Sequence, residues 1–324
     1  MQTESDRRQP LTFVTITYRA EDTLLLLQAR SLALYARPDD VAAVIVIDNG
    51  SPRMSRRAQR RLLDAYGPLS DRVRIVRRSE LGSDVASSGW MSQQVMKLAA
   101  HRLVETPTYV LLDAKNHLIR PVAVSDFLAE DGRARTGFQS YLSHPLLPRL
   151  RHVLEYLELD QSAAGRFPPT STPFVAHRDV VAALVDDIET SSGRPFATEF
   201  VRADLTEFPL YSAWLLRRDG GWDPTYVDDA IQAPTVWGGN ASRSGVDHAI
   251  EQARESDAPA FGVHRRALHR MDLDGLTALS AFLSERRLVS GPAEFRRLRR
   301  TFRRQYGAEI LRARVSSRLR RSRA

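Results

Sequence analysis

The sequence predicts an α/β fold, a sheet of mainly parallel strands with helices packed on both faces. Strand-like and helical segments alternate through the first hundred residues, which requires crossover helices between parallel strands. The 324 residues are 43 % apolar and 27 % charged, enough chain and enough hydrophobic side chain for a large core. Polar residues gather where the strands end, and ligands of such sheets collect at those carboxyl ends.

The first strand covers residues 12–18 (TFVTITY) and ends at Thr17 and Tyr18. A helix follows over 23–35, then a strand over 41–48 ending at Asp48 and Asn49, a helix over 55–66, and a strand over 73–77 ending at Arg77 and Arg78. Ser87 or Ser88 caps the next helix, which buries Met91, Val95, Leu98 and Ala99 and sets Gln94, Lys97 and His101 on another face. Trp90 near its start is expected in the core. The strand TYVLLDAKN, residues 108–116, carries Asp113, Lys115 and Asn116 at its end. Beyond it come a proline-rich loop at 168–173, helices over 177–189 and 206–217, a break at Gly220 and Gly221, and a strand-like segment ending at His264.

With no cysteine there is no disulfide, thiolate metal site, iron–sulfur cluster or cysteine nucleophile. No apolar run reaches the roughly 20 residues of a membrane span, and residues 1–10 show no signal-peptide pattern, so a cytoplasmic location is expected. The net charge of +8 is unevenly placed. Residues 296–324 hold twelve arginines against Glu309, a charge of +11 that leaves −3 on the rest. Only Lys97 and Lys115 among the 47 basic residues are lysines. A GxGxxG turn after the first strand, a GxxxxGK[ST] loop and a GxSxG elbow are all missing, which argues against a dinucleotide site, a P-loop and a hydrolase elbow.

Taken in order, Asp48-Asn49-Gly50-Ser51, Gly89-Trp90 with Gln93, Gln94 and Lys97, Asp113-Ala114-Lys115-Asn116, Thr172-Pro173-Phe174, Thr206-Glu207-Phe208 with Tyr211, and a late His264 form a pattern over residues 10–285. This pattern resembles the GT-A glycosyltransferases, specifically a bacterial group catalogued as a domain of unknown function. The resemblance implies a GT-A-like mixed sheet over 11–290, with a nucleotide-sugar half (11–121) and an acceptor half (122–290). It also implies transfer of a sugar from a nucleoside diphosphate to a hydroxyl of a saccharide, glycolipid or cell-envelope acceptor. Thr17, Tyr18, Asp48, Gln94, Lys97, Asp113, Lys115 and Asn116 are then the donor-binding set, and Thr172 and Tyr211 the acceptor-binding pair.

In that fold two aspartates of an Asp-x-Asp motif hold Mg²⁺ or Mn²⁺ on the donor diphosphate. Here a lysine follows Asp113 and Ala114, and two readings stand: Lys115 supplies the positive charge itself, or Asp113, Asn116 and His264 hold the ion. Transfer to a hydroxyl uses either a carboxylate base under the acceptor, with inversion, or the leaving phosphate as base, with retention; for the first, position and resemblance together make Glu207 the base, with Glu199 and Asp204 as competitors, against a plain first-turn glutamate favoured by the helix dipole. Asp48 is equally readable as a nucleoside contact or, ahead of the turn-forming Asn-Gly-Ser, as the cap of the next helix. A nucleotidyltransferase is the second enzyme reading, weakened by a glycine-free turn after the first strand.

Residues 295–311 place Phe295, Leu298, Phe302, Tyr306 and Ile310 on one stripe with arginines between them, a basic amphipathic helix. The expected partner is an anionic membrane at the inner face, with self-docking as the equal alternative and nucleic acid the weaker one.

Overall fold

The computed structural model describes residues 9–82 and 90–321, with backbone alone for 312–321. Ser87, Ser88 and Gly89 lie outside the described residues. The elements in chain order are β1 (Leu11–Thr17), α1 (Asp22–Tyr35), β2 (Val41–Asp48), α2 (Arg56–Tyr66), β3 (Val73–Arg77), α3 (Trp90–Ala99), β4 (Thr108–Asp113) and β5 (Asn116–Leu118). They continue with β6 (Ala134–Thr136), α4 (Leu147–Tyr156), β7 (Phe174–His177), α5 (Arg178–Ser192), α6 (Phe196–Arg202), α7 (Glu207–Asp219), β8 (Tyr226–Asp228) and β9 (Thr235–Val236). The last are α8 (Arg243–Glu255), β10 (Ala260–Val263), α9 (Arg265–Arg270), α10 (Leu273–Glu285) and α11 (Pro292–Arg321).

The main sheet runs β3-β2-β1-β4-β7, parallel from β3 to β4 and antiparallel at β7, so the expected mixed sheet is present. Every residue of β1 is buried, threonines included, because helices cover both faces of the sheet. The register pairs Ile16 with Asp113 and Thr17 with Asp48, which brings three strand ends level. Helix α1 packs against both α2 and α11, and α3 and α5 each pack against α6 and α7. No helix among the described residues is long and apolar enough to cross a membrane.

The strand expected over 108–116 is two strands. The chain turns at Ala114 and Lys115, and β5 leaves the main sheet to pair with β10. That turn exists because Asn116 Oδ1 accepts the Asp113 backbone N–H at 2.9 Å, and buried Gln28 of α1 donates to Asp113 O at 2.7 Å and Asn116 O at 3.2 Å. The C-terminal stripe is also not free. Phe295, Leu298, Phe302 and Tyr306 are all buried in the domain's own core, so the membrane reading loses its apolar surface while an exposed arginine face remains. Helix α11 is thus part of the domain, held also by Gln305 Nε2 donating to Asp22 Oδ2 at 3.1 Å.

Candidate functional site

The strand order reverses between β1 and β4, so their carboxyl ends flank a crevice. Asp113 ends β4 there, and both lysines of the chain converge on it. Lys97 Nζ lies 2.9 Å from Asp113 Oδ1 and donates to Glu207 Oε1 at 2.9 Å. Lys115 Nζ donates to Asp113 Oδ2 and, at 2.9 Å, to Thr172 Oγ1. Helix α3 delivers Lys97 on its buried face, where the ammonium sits 4.6 Å from the Phe208 ring centroid. Lys115 is fixed by the turn between β4 and β5, whose carbonyl accepts the Val263 N–H at 2.9 Å.

These charges hold one another. Burial would lift the Asp113 pKa, but Lys115 and Lys97 more than offset it and keep the carboxyl well below the usual range. For Lys97 burial acts downward, and Asp113 with Glu207 overcomes it, so the ammonium stays charged well above neutral pH. Glu21, buried beside Arg265 (2.7 Å), is pushed up to about 7 by burial, with Arg265 pulling the other way. His264 is pushed down to about 4 by burial and by Arg265, and its ring lies 5.4 Å from that of Trp237.

Two adjoining cavities open at this end of the sheet. One, ≈ 270 Å³, is lined by Glu21, Lys97, Asp113, Lys115, Glu207 and Arg265 among others. The other, ≈ 340 Å³, has Tyr18, Asn49 and Gly50 on one side and Gln305, Ala308 and Glu309 of α11 on the other. Trp90, Gln93 and Arg265 belong to both. Trp90 (53 % exposed) and Trp237 (46 %) rim the smaller cavity, so Trp90 is not the core residue its type suggests. Gln94 and Thr206 line the smaller cavity while buried, and Gln94 Oε1 and Thr206 Oγ1 have no hydrogen-bond partner among the described residues. Buried polar atoms without partners are costly, and a ligand or water in the cavity would satisfy them.

Residues 18–252 match the model of a family of unknown function, DUF6492. The chain belongs to this family. No curated protein matches it in sequence. Among solved structures it is similar to galactosyltransferase LgtC in complex with donor and acceptor sugar analogues, at 8 % identity and TM-score 0.48, over 89 % of this chain and 100 % of that one. An active-site mutant of LgtC shares 9 % identity over 63 % of this chain and 70 % of that one, TM-score 0.44. The apo WbbM bifunctional glycosyltransferase shares 10 % over 93 % of this chain and 52 % of that one, TM-score 0.48.

In this DUF6492 chain the predicted residues fall into three groups. Tyr18, Gln94, Lys97, Asp113, Lys115, Glu207 and His264 line the two cavities. Asn116 and Thr172 lie beneath them as braces: Asn116 Nδ2 donates to Thr172 O at 2.9 Å, and the Thr172 hydroxyl is 2.6 Å from Asn116 Oδ1. Thr17, Asp48 and Tyr211 are elsewhere. Thr17 is fully buried, and Tyr211 is a core ring against Phe174 whose hydroxyl accepts the His177 N–H at 3.2 Å, so it offers nothing to an acceptor. The Asp48 carboxylate accepts from Gly50 N (2.8 Å), Met54 N (2.7 Å) and Arg77 (2.7 Å), so it organises its own turn and is not the expected cap of α2, a place taken by Ser55, which accepts the Ala58 N–H. Glu199 pairs with Arg202 and Asp204 with Arg149, and neither lines either of these two cavities.

The proposed metal ligands do not fit a divalent ion. Both Asp113 oxygens face ammonium groups, Asn116 Oδ1 is taken by the Asp113 N–H and the Thr172 hydroxyl, and His264 Nδ1 accepts the Arg266 N–H at 3.3 Å. No group of three metal-ligating side chains occurs among the described residues. Sequence reasoning missed Glu21, Gln28, Arg265 and Trp237. Gln28 did leave a signal, a polar side chain closing an apolar helical run, and it is fully buried.

Proposed function

We propose that this chain transfers a sugar from a nucleoside-diphosphate donor to a hydroxyl of a saccharide-bearing acceptor. The observation that carries the reading is the convergence of Lys97, Lys115 and Arg265 beside Glu207 in one cavity at the strand-order reversal. A leaving diphosphate is met by cations, and in an inverting transfer the attacking hydroxyl gives its proton to a carboxylate; this cavity offers both within one ion-paired cluster. The ≈ 340 Å³ cavity, with Tyr18 on one wall and Glu309 on the other, accommodates the nucleoside, and the smaller one the diphosphate and sugar. Exposed Trp90 and Trp237 suit the apolar faces of sugar rings.

In this scheme the acceptor oxygen attacks the anomeric carbon as its bond to the diphosphate oxygen breaks. Glu207 takes the hydroxyl proton and the nucleoside diphosphate leaves, its new charge met by the lysines. A displacement of this kind inverts the anomeric centre.

A thermal-shift panel of nucleoside diphosphates and their sugar conjugates tests the donor, since a ligand that binds only the folded state raises its melting temperature. At a hundredfold excess over Kd the gain is about 3 kcal/mol. A flat panel sinks the reading.

A further inference from the structure

The two lysines of the chain meet on one carboxylate, and that arrangement decides more than the class of donor. Each ammonium has three N–H donors, of which two face protein acceptors: Asp113 and Glu207 for Lys97, Asp113 and Thr172 for Lys115. One donor on each is left for a ligand in the cavity that both line. Across that cavity Lys97, Lys115, Arg149 and Arg265 stand against Asp113, Glu207 and Glu21, an excess of one positive charge with His264 neutral and of two where Glu21 holds its proton. A dication placed on Asp113 would have to displace both ammonium groups and then sit beside them.

We propose that Lys97 and Lys115 replace the divalent ion as the counter-charge of the donor diphosphate, and that Asp113 is the post that holds both. The proposal rests on the glycosyl-transfer reading and adds to it the identity of the charge that the diphosphate meets. Asp113 thereby exchanges roles, from metal ligand to positioning residue. Its oxygens set where the two ammonium groups stand, and the turn braced by Gln28 and Asn116 sets where Asp113 stands. The Thr172 hydroxyl fixes Lys115 from the other side. A lysine is a compact point charge suited to a phosphate oxygen, and two of them spread over Asp113 Oδ1 and Oδ2 can serve two phosphates.

The experiment is calorimetric titration of the full chain with ADP, CDP, GDP, UDP and dTDP, once in excess EDTA and once in excess MnCl₂. The nucleotide that binds is expected to do so with the same Kd in both. Lys115→Met should weaken it roughly 10- to 100-fold, the loss of one charge-assisted hydrogen bond, and Lys115→Arg should recover part of that. Asp113→Asn, checked for folding by its melting curve, should bind more weakly than the parent chain by the same factor in EDTA and in MnCl₂, because the cations remain while their post is neutral; an unchanged Kd, or a loss confined to MnCl₂, overturns the proposal. Binding that appears only with MnCl₂, or a Lys115→Met Kd equal to that of the parent chain, overturns the proposal and leaves the glycosyl-transfer reading standing. No binding of any nucleotide in either buffer overturns both.

Discussion

Replacing Lys97 by Met tests the charge cluster where its energy is largest. The Lys97 and Glu207 side chains are 10 % and 9 % exposed and 2.9 Å apart, so solvent screens the pair little. Met keeps the stem packed and leaves no cavity, so the change isolates charge. Asp113, at 36 % exposed, retains Lys115; Glu207 loses the ammonium it pairs with and stays buried. Removing one member of a buried pair costs about 3–5 kcal/mol. At about 2 °C per kcal/mol for a chain of this size, the melting temperature should fall by about 6–10 °C. Urea unfolding of Lys97→Met, Glu207→Gln and the double variant gives the cycle, and the double variant should be more stable than the sum of the singles by at least about 1 kcal/mol. The loss should persist at high salt. Additivity within about 0.5 kcal/mol, or a deficit erased by salt, would refute the buried-pair argument.

Glu207→Gln should lower kcat by roughly 10²- to 10⁴-fold while the nucleotide Kd stays within a few-fold, since an amide cannot accept the proton; steady-state kinetics with a binding isotherm read both. Truncation at residue 291 should give an insoluble or unfolded chain, because it exposes Phe295, Leu298, Phe302 and Tyr306 partners worth about 1.5–3 kcal/mol each, together comparable to a domain's whole stability. A soluble truncation with an unchanged melting temperature counts against the docked helix. Glu21 holds its proton to about pH 7 in the folded chain and only to about 4.5 unfolded, so its burial lowers stability progressively from about pH 4.5 to 7 and levels off above. Subtracting the Glu21→Gln stability curve from that of the parent should isolate a fall of about 3 kcal/mol across that window, while the opposing loss on acidification from His264 and His117 cancels in the difference. A flat difference curve rejects a protonated Glu21.

The first half of the fold was legible because it is local. The apolar run at 41–48 and the helix over 23–35 carry their own periodicity, and β2 and α1 occupy nearly those bounds. The mixed character of the sheet was legible only through resemblance, since β7 is four residues long and pairs with β4 across sixty intervening positions that no local pattern links. The split of residues 108–116 depends on Gln28 reaching over from α1, a contact 85 residues distant in sequence. The stripe on α11 was plain, but an amphipathic helix looks the same whether a membrane or the chain's own core covers it. Tertiary packing decided that, by placing Phe302 at zero exposure.

The site was legible in its residue types and not in their partnerships. Asp48 and Asp113 look alike in sequence, each an aspartate closing an apolar strand, yet one spends its oxygens on the N–H groups of Gly50 and Met54 and the other on two lysines. What separates them is the position of their strands: β2 lies inside one wing of the sheet, whereas β4 borders the order reversal where the crevice forms. The rarity of lysine was the clue that held its value. In a chain that uses arginine for nearly every positive charge, both lysines fall at the crevice, where a compact ammonium can be held between carboxylates that a planar guanidinium would have to span differently. Lys97→Arg should therefore not be neutral. A guanidinium placed over Phe208 and between Asp113 and Glu207 has to move one of the two carboxylates, and a conservative exchange that nonetheless changes the nucleotide Kd would locate the specificity in the shape of the ammonium as well as its charge.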